Sequence, residues 1–145
     1  MLAILLKNPK VDAVIAASDG MAAGALKTLQ EQGLADIVAV SGAFTDVYGL
    51  KRVFAGTQIV SVWDDRGAIG TAAAKAAVAL CSNPDIASIP GAKEFTSAGG
   101  NKMLQILFQP KPITKDNLDL VLKAEPYTKQ AFCGDETLAG TPLCK

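Results

Sequence analysis

Three apolar runs in this chain alternate with stretches in which apolar residues recur every three or four positions. The first run, Val11 to Ala17, is nearly continuous, as a strand inside a covered sheet requires. After it, Met21 or Ala22, Ala25, Leu26 and Leu29 share one helical face. Ser18 or Asp19 stands where an N-cap belongs, and Gly33 where a left-handed C-terminal residue belongs. The second run, Ile37 to Ser41, leads to a helix starting near Thr45 or Asp46 that turns Val47, Leu50 and Phe54 inward, with Val53 beside them, and stops at Gly56. The third run, Gln58 to Trp63, precedes a helix from about Arg66 to Leu80 with Asp64 or Asp65 at its start and Ile69, Ala73, Ala76 and Leu80 inward. Three strand-helix units in a row predict an α/β fold: a parallel sheet with right-handed crossovers and helices on both faces.

The ends of the chain read differently. Leu2, Leu5 and Leu6 form one face of a helix tail that Asn8-Pro9 terminates, without the basic start and small-residue cleavage site of a signal peptide. From Asn83 onward Pro84, Pro90, Gly91, Gly99 and Gly100 punctuate short apolar pieces such as Met103 to Phe108, predicting an irregular connector. Pro110 and Pro112 act as breakers, Thr114 to Leu122 as one more turn and helix, and the residues after Glu125 as a tail. The expected organisation is a single α/β lobe over residues 1–123 and a tail over residues 124–145.

A length of 145 residues suits one core. Fourteen basic and fourteen acidic residues cancel without a basic block, which gives no footprint for nucleic acid or an anionic membrane. The longest apolar stretch, Ala68 to Cys81, is interrupted by Lys75 and is too short to span a bilayer. Cys81 reads as a buried small hydrophobe. Cys133 and Cys144 bracket a Gly- and Thr-containing segment and read as a disulfide loop rather than two free thiols, which points to an oxidising compartment. A zinc site would need more ligands than a chain without His or a Cys-x-x-Cys motif offers, so no metal and no cofactor is expected.

The chemistry is sought where the strands end. In an open α/β sheet the carboxyl ends of parallel strands meet at a crevice, which brings together Ser18-Asp19, Phe44 to Asp46, and Trp63-Asp64. The expected ligand-facing residues are Ser18, Asp19, Phe44, Asp46, Trp63 and Asp64. Their carboxylates and hydroxyl suit the hydroxyls of a polyol, and the two aromatic rings offer flat apolar faces to ring C–H groups. Each aspartate also has a plainer reading as a helix cap, and each aromatic as core packing. No nucleophile elbow, phosphate loop or dinucleotide glycine motif is present, and the commonest general base, His, is absent.

The run from Val11 to Leu26 (VDAVIAASDGMAAGAL) resembles the carboxyl-lobe segment of type I periplasmic sugar-binding proteins, the solute receptors of ABC importers. So do Val38 to Gly42 (VAVSG), Gly49 to Gln58 (GLKRVFAGTQ) and Pro112 to Asn117 (PITKDN), with the D-xylose-binding branch most similar. The resemblance covers about Leu5 to Lys123. It implies a non-catalytic receptor in which two lobes close on a monosaccharide and present it to a membrane permease, in the periplasm or outside the cell. It also implies that this chain corresponds to the second lobe alone, without the amino lobe, the signal peptide and the first strand-helix unit. An isolated lobe would expose apolar surface, which predicts self-association.

The family pattern is kept unevenly. Ser18 stands where an Asn is usual, Phe44 where an Asp grips sugar hydroxyls, and Asp64 where a Lys or Gln follows an aromatic; Asp46 keeps its acidic type. These departures from the family pattern suit a different polyol, a modified sugar or a ligand with a basic group better than an ordinary aldopentose or aldohexose. Two further classes compete. The effector domain of a LacI-like transcription regulator shares this lobe architecture but needs an attached helix-turn-helix. A small α/β enzyme using Asp19, Asp46 or Asp64 as acid or base lacks an activating partner.

Overall fold

The three apolar runs become short parallel strands, and the stretches between them become helices. In chain order the elements are α1 (Leu2–Lys7), β1 (Ala13–Ile15), α2 (Asp19–Glu31), β2 (Ala39–Ala43), α3 (Val47–Ala55), β3 (Val60–Trp63), α4 (Arg66–Ser82), β4 (Lys93–Thr96), β5 (Lys102–Gln105), β6 (Lys111–Ile113), α5 (Asp119–Ala124) and α6 (Pro126–Cys133). This computed structural model describes residues 1–145, apart from the side chain of Ile86. It divides into two units, one of residues 1–64 with 110–145 and one of residues 65–109.

In the first unit the sheet order is β1-β2-β3-β6. β1, β2 and β3 are parallel, and β6 runs antiparallel along β3 with Val62 opposite Pro112. Read from sequence as a breaker, Pro112 is tolerated because an edge strand needs no ladder N–H on its open side. Helix α2 begins with Ser18 as N-cap, its Oγ accepting from the Met21 N–H at 3.2 Å. It ends where Gly33 adopts φ +69° and the Leu34 N–H reaches back to the Leu29 carbonyl, which satisfies an otherwise orphaned acceptor. Ala22 rather than Met21 takes the inward position, since Met21 is 64% exposed.

Side chains on one face of the sheet are buried: Val40, Ser61, Trp63 and Ile113 all lie at or below 3% exposure. Leu26 and Leu29 of α2 pack with Val38, Val40 and Leu5, while Leu50 and Val53 of α3 pack with Trp63, Ile113, Val121 and Phe132. On the other face Ile15 is 92% exposed.

The segment after Glu125, expected to be a tail, is built into this unit. It forms α6, which buries Phe132 completely and sets its ring edge-on to Phe54 at 6.0 Å. The Cys133–Cys144 disulfide closes the segment, with Cα atoms 5.5 Å apart, and Leu138 within it is buried. Lys51 of α3 pairs with Asp135 at 2.9 Å. The Thr137 hydroxyl, then the Lys51 ammonium and the Thr137 N–H, hold the Asp135 carboxyl down at about 2.

The second unit contains α4 and an antiparallel hairpin of β4 and β5, in which Phe95 faces Met103. The hairpin falls after Asn83, where the sequence predicted an irregular cap or connector. Gly99-Gly100 serves the hairpin loop, Gly100 taking φ +82°. Asp65 caps α4, accepting the Ala68 N–H at 2.9 Å. None of the residues of α4 is buried, and Ile69, expected to face inward, is 38% exposed. Cys81, expected inside, is exposed. The many alanines of α4 favour the helical state by intrinsic propensity.

Candidate functional site

Parallel pairing aligns the carboxyl ends of β1, β2 and β3, with Ile15 beside Ser41 and Ala43 beside Val62. Residues just past those ends therefore share one edge of the sheet: Ser18 after β1, Phe44 to Asp46 after β2, and Asp64 after β3. Ser18 is half-buried, and its Oγ keeps a proton to donate after accepting from Met21. Phe44 is 56% exposed. Asp46 is exposed and caps α3 through Oδ1, which accepts the Gly49 N–H at 2.6 Å. Asp64 is half-buried, with no hydrogen bond or ion pair to its carboxylate among the described residues.

Two residues expected at this edge turn inward. Asp19 is 1% exposed. Its Oδ1 accepts from Gln58 Nε2 at 2.7 Å, its Oδ2 from the Asp46 N–H at 3.0 Å, and the Ser61 hydroxyl lies 2.9 Å from both. Arg52 Nη2 donates to the Asp19 carbonyl at 2.7 Å, and Arg52 Nε to Gln58 Oε1 at 3.1 Å. A buried carboxylate with this many donors is an internal knot joining β1–α2, α3 and β3. Gly42 and Gly49 make room for it: a Cβ built on either would overlap the Asp19 carboxylate.

Trp63 also turns inward. It is 3% exposed and belongs to the core cluster. Its indole N–H donates to Glu125 Oε1 at 3.0 Å, and Lys111 Nζ stands 5.6 Å from its ring centroid. Its ring packs in the core while its one polar atom reaches a half-buried acceptor, as large amphipathic aromatics commonly do.

The loop between β2 and α3 has an unusual backbone. Phe44 and Thr45 both have positive φ, +71° and +38°, although neither is glycine. Such conformations cost about 1–3 kcal/mol each, more readily tolerated when the surroundings impose them. Here three successive amides are held from three directions: Phe44 N–H by the Val62 carbonyl at 2.8 Å, Thr45 N–H by Ser61 Oγ at 3.2 Å, and Asp46 N–H by Asp19. The Thr45 hydroxyl is buried without a hydrogen-bond partner.

Sequence reasoning passed over Ser61, Gln58 and Arg52. One signal was available for Ser61: it lies two residues before Trp63 in a strand, on the same face, and a polar residue on a core face needs a partner. At the amino ends of β2 and β3 a cavity of about 240 Å³ is lined by Asp36, Val38, Val40, Thr57 and neighbours. It is remote from the carboxyl edge and has no aromatic in its lining.

Comparison with known proteins decides what this architecture is. The family described as "Periplasmic binding protein domain" matches residues 1–85. The chain belongs to that family. It is 35% identical over 122 residues to the D-xylose-binding periplasmic protein of Escherichia coli (strain K12), covering 83% of this chain and 36% of that protein. The D-xylose-binding periplasmic protein of Haemophilus influenzae is 32% identical over 131 residues, covering 90% of this chain and 38% of that one. This member of the periplasmic binding protein family thus spans little more than a third of those curated relatives. Among solved structures, a carbohydrate transporter solute-binding protein from Chloroflexus aurantiacus in complex with D-glucose superposes with a TM-score of 0.68 at 23% identity, over 79% of this chain and 33% of that one. An ABC transporter periplasmic solute-binding protein from Actinobacillus succinogenes with bound D-allose gives 0.61 at 21% identity, over 81% and 36%. These two likenesses concern the fold, that of one lobe of a type I periplasmic binding protein.

Proposed function

We propose that this chain is the carboxyl-side lobe of a periplasmic sugar or polyol receptor for an ABC importer, and that it binds its ligand without chemical change. The observation that carries this reading is the carboxyl edge of the sheet, where Ser18, Phe44, Asp46 and Asp64 follow three adjacent strands in a member of the periplasmic binding protein family. Ser18 supplies a hydroxyl, Asp46 a second carboxylate oxygen beyond the one used in capping, Asp64 a carboxylate, and Phe44 an apolar ring face. Asp19 and Trp63 support the edge from inside.

Two acids and one hydroxyl make this an acceptor-rich edge, which favours a ligand rich in donors. Polyols fit, and an amino sugar or another polyol with a basic group fits better, since Asp64 can pair with an ammonium group. A binding role also agrees with the use of Asp19, whose carboxylate is buried and held by Gln58, Asp46 and Ser61, away from any ligand at the edge. The remaining partners of this reading are an amino-side lobe that closes over the ligand and a membrane permease that receives it, with the receptor in the periplasm. A lobe alone leaves its ligand wet on one side, so its hydrogen bonds add little net affinity. Exposed apolar residues such as Ile15 favour self-association of the isolated lobe.

Differential scanning fluorimetry against pentoses, hexoses, inositols and amino sugars tests the reading, run on this chain and on any longer protein containing it. A melting shift in the longer protein supports a receptor, with a larger shift for amino sugars if Asp64 meets the ligand. Failure of every sugar and polyol to shift either protein would remove the reading.

A further inference from the structure

We propose that Ser61 and Asp19 are positioning residues for the β2–α3 loop: they hold Phe44 and Thr45 in a left-handed conformation and so aim Phe44 at the ligand edge. The proposal rests on the reading of that edge as a binding surface. Neither residue would touch the ligand, since both are buried.

The chain of contacts is direct. Ser61 has one hydroxyl proton, and both oxygens of Asp19 lie 2.9 Å from its Oγ, so the carboxylate claims that proton. With its donor direction fixed, Ser61 Oγ is left as an acceptor toward the Thr45 N–H at 3.2 Å. The other carboxylate oxygen takes the next amide, Asp46 N–H, directly. One buried anion therefore organises two consecutive amides, one through a hydroxyl and one by itself, while the Val62 carbonyl takes the amide before them.

That arrangement explains why two non-glycine residues tolerate positive φ here. Left to itself, a β-branched residue at φ +38° would move toward the β or right-handed region. Moving would break the bond to Ser61 and displace Phe44, the exposed aromatic between Ser18 and Asp64 along the edge. The Thr45 hydroxyl, buried without a partner, fits a residue held in place by its backbone and not by its side chain. Arg52 and Gln58 complete the device by fixing Asp19 on its other side.

The test is a double-mutant cycle read by amide hydrogen exchange on the full 145-residue chain. Ser61→Ala should speed exchange at Thr45 and Asp46 by about five- to tenfold, the factor that loss of one hydrogen bond allows, with Val40 in the core changing much less. Thr45→Gly adopts positive φ without strain, so in that background Ser61→Ala should change Asp46 exchange by less than about threefold. If Ser61→Ala speeds Thr45, Asp46 and Val40 equally, its role is plain stability and the proposal falls. It falls also if the Ser61→Ala effect at Asp46 is the same in both backgrounds. A parallel titration with D-glucose, myo-inositol and D-glucosamine separates the two levels of the account. A response lost in Ser61→Ala while its core stays protected supports positioning. No response in the wild-type chain or any longer protein counts against the ligand reading, and the exchange cycle still decides the role of Ser61.

Discussion

Replacing Asp19 by Asn keeps the size of a side chain that is 1% exposed and removes its charge. One of its oxygens becomes an NH2 group, so either the Gln58 amide or the Asp46 N–H then meets a donor in place of an acceptor. Loss of one hydrogen bond to a charged acceptor removes about 1.5–3 kcal/mol, and the orphaned buried donor adds about 1–3 kcal/mol. A neutral amide is easier to desolvate than a carboxylate, which offsets part of the sum. The net expectation is a loss of about 2–4 kcal/mol, a large share of the roughly 5–15 kcal/mol typical of a folded domain. Urea unfolding can be followed by the fluorescence of Trp63, the single tryptophan, which is 3% exposed. In a thermal scan the same loss lowers the midpoint by about 5–15 °C. Asp64→Asn is the matched control and should stay within about 0.5 kcal/mol, since its carboxylate has no hydrogen bond or ion pair among the described residues. If Asp19→Asn also stays within about 0.5 kcal/mol at an unchanged m-value, the internal knot is not what holds these strand ends together.

Cys144→Ser opens the loop closed by the Cys133–Cys144 disulfide and should lower stability by about 2–3 kcal/mol, read from urea midpoints with and without reductant; equal midpoints would show that the loop is held by packing alone. Because the folded Asp135 carboxyl titrates at about 2, below its ordinary 3.8, it contributes stability above pH 3.8 that is lost as the pH falls toward 2. Asp135→Asn should therefore flatten the acid limb of the stability profile in that window, and parallel limbs in variant and wild type would contradict the contacts to Thr137 and Lys51. Cys81 is exposed, so the native chain should react as one thiol with a water-soluble thiol reagent, and as three after reduction and unfolding. A silent native chain would mean that Cys81 is covered in solution.

The parts legible in the sequence are those governed by neighbours along the chain. Ser18, Asp46 and Asp65 cap helices, and Gly33 and Gly56 close them in left-handed conformations, because capping depends on residues three or four positions away. Leu50 and Val53 face inward as helical periodicity demands. What was not legible depends on distant partners. Asp19 reads equally well as a cap or a ligand contact. Only the meeting of Gln58, Ser61 and Asp46, with space left by Gly42 and Gly49, turns it inward. Trp63 is settled by Glu125, sixty-two positions away. Phe132 carries no periodic signal in a short helix between Pro126 and Gly134, yet it fills the space beside Phe54. In α4 the periodicity of Ile69, Ala73, Ala76 and Leu80 predicted an inward face, and none of the residues of that helix is buried.

Amide chemical-shift changes mapped across the chain during titration with polyols and amino sugars locate the ligand edge, with a longer protein carrying an amino-side lobe as the companion sample. The account predicts changes concentrated at Ser18, Phe44, Asp46 and Asp64, with the core amides of Val40 and Val53 unmoved. Changes confined to the amino ends of β2 and β3, or none in either sample, would contradict it.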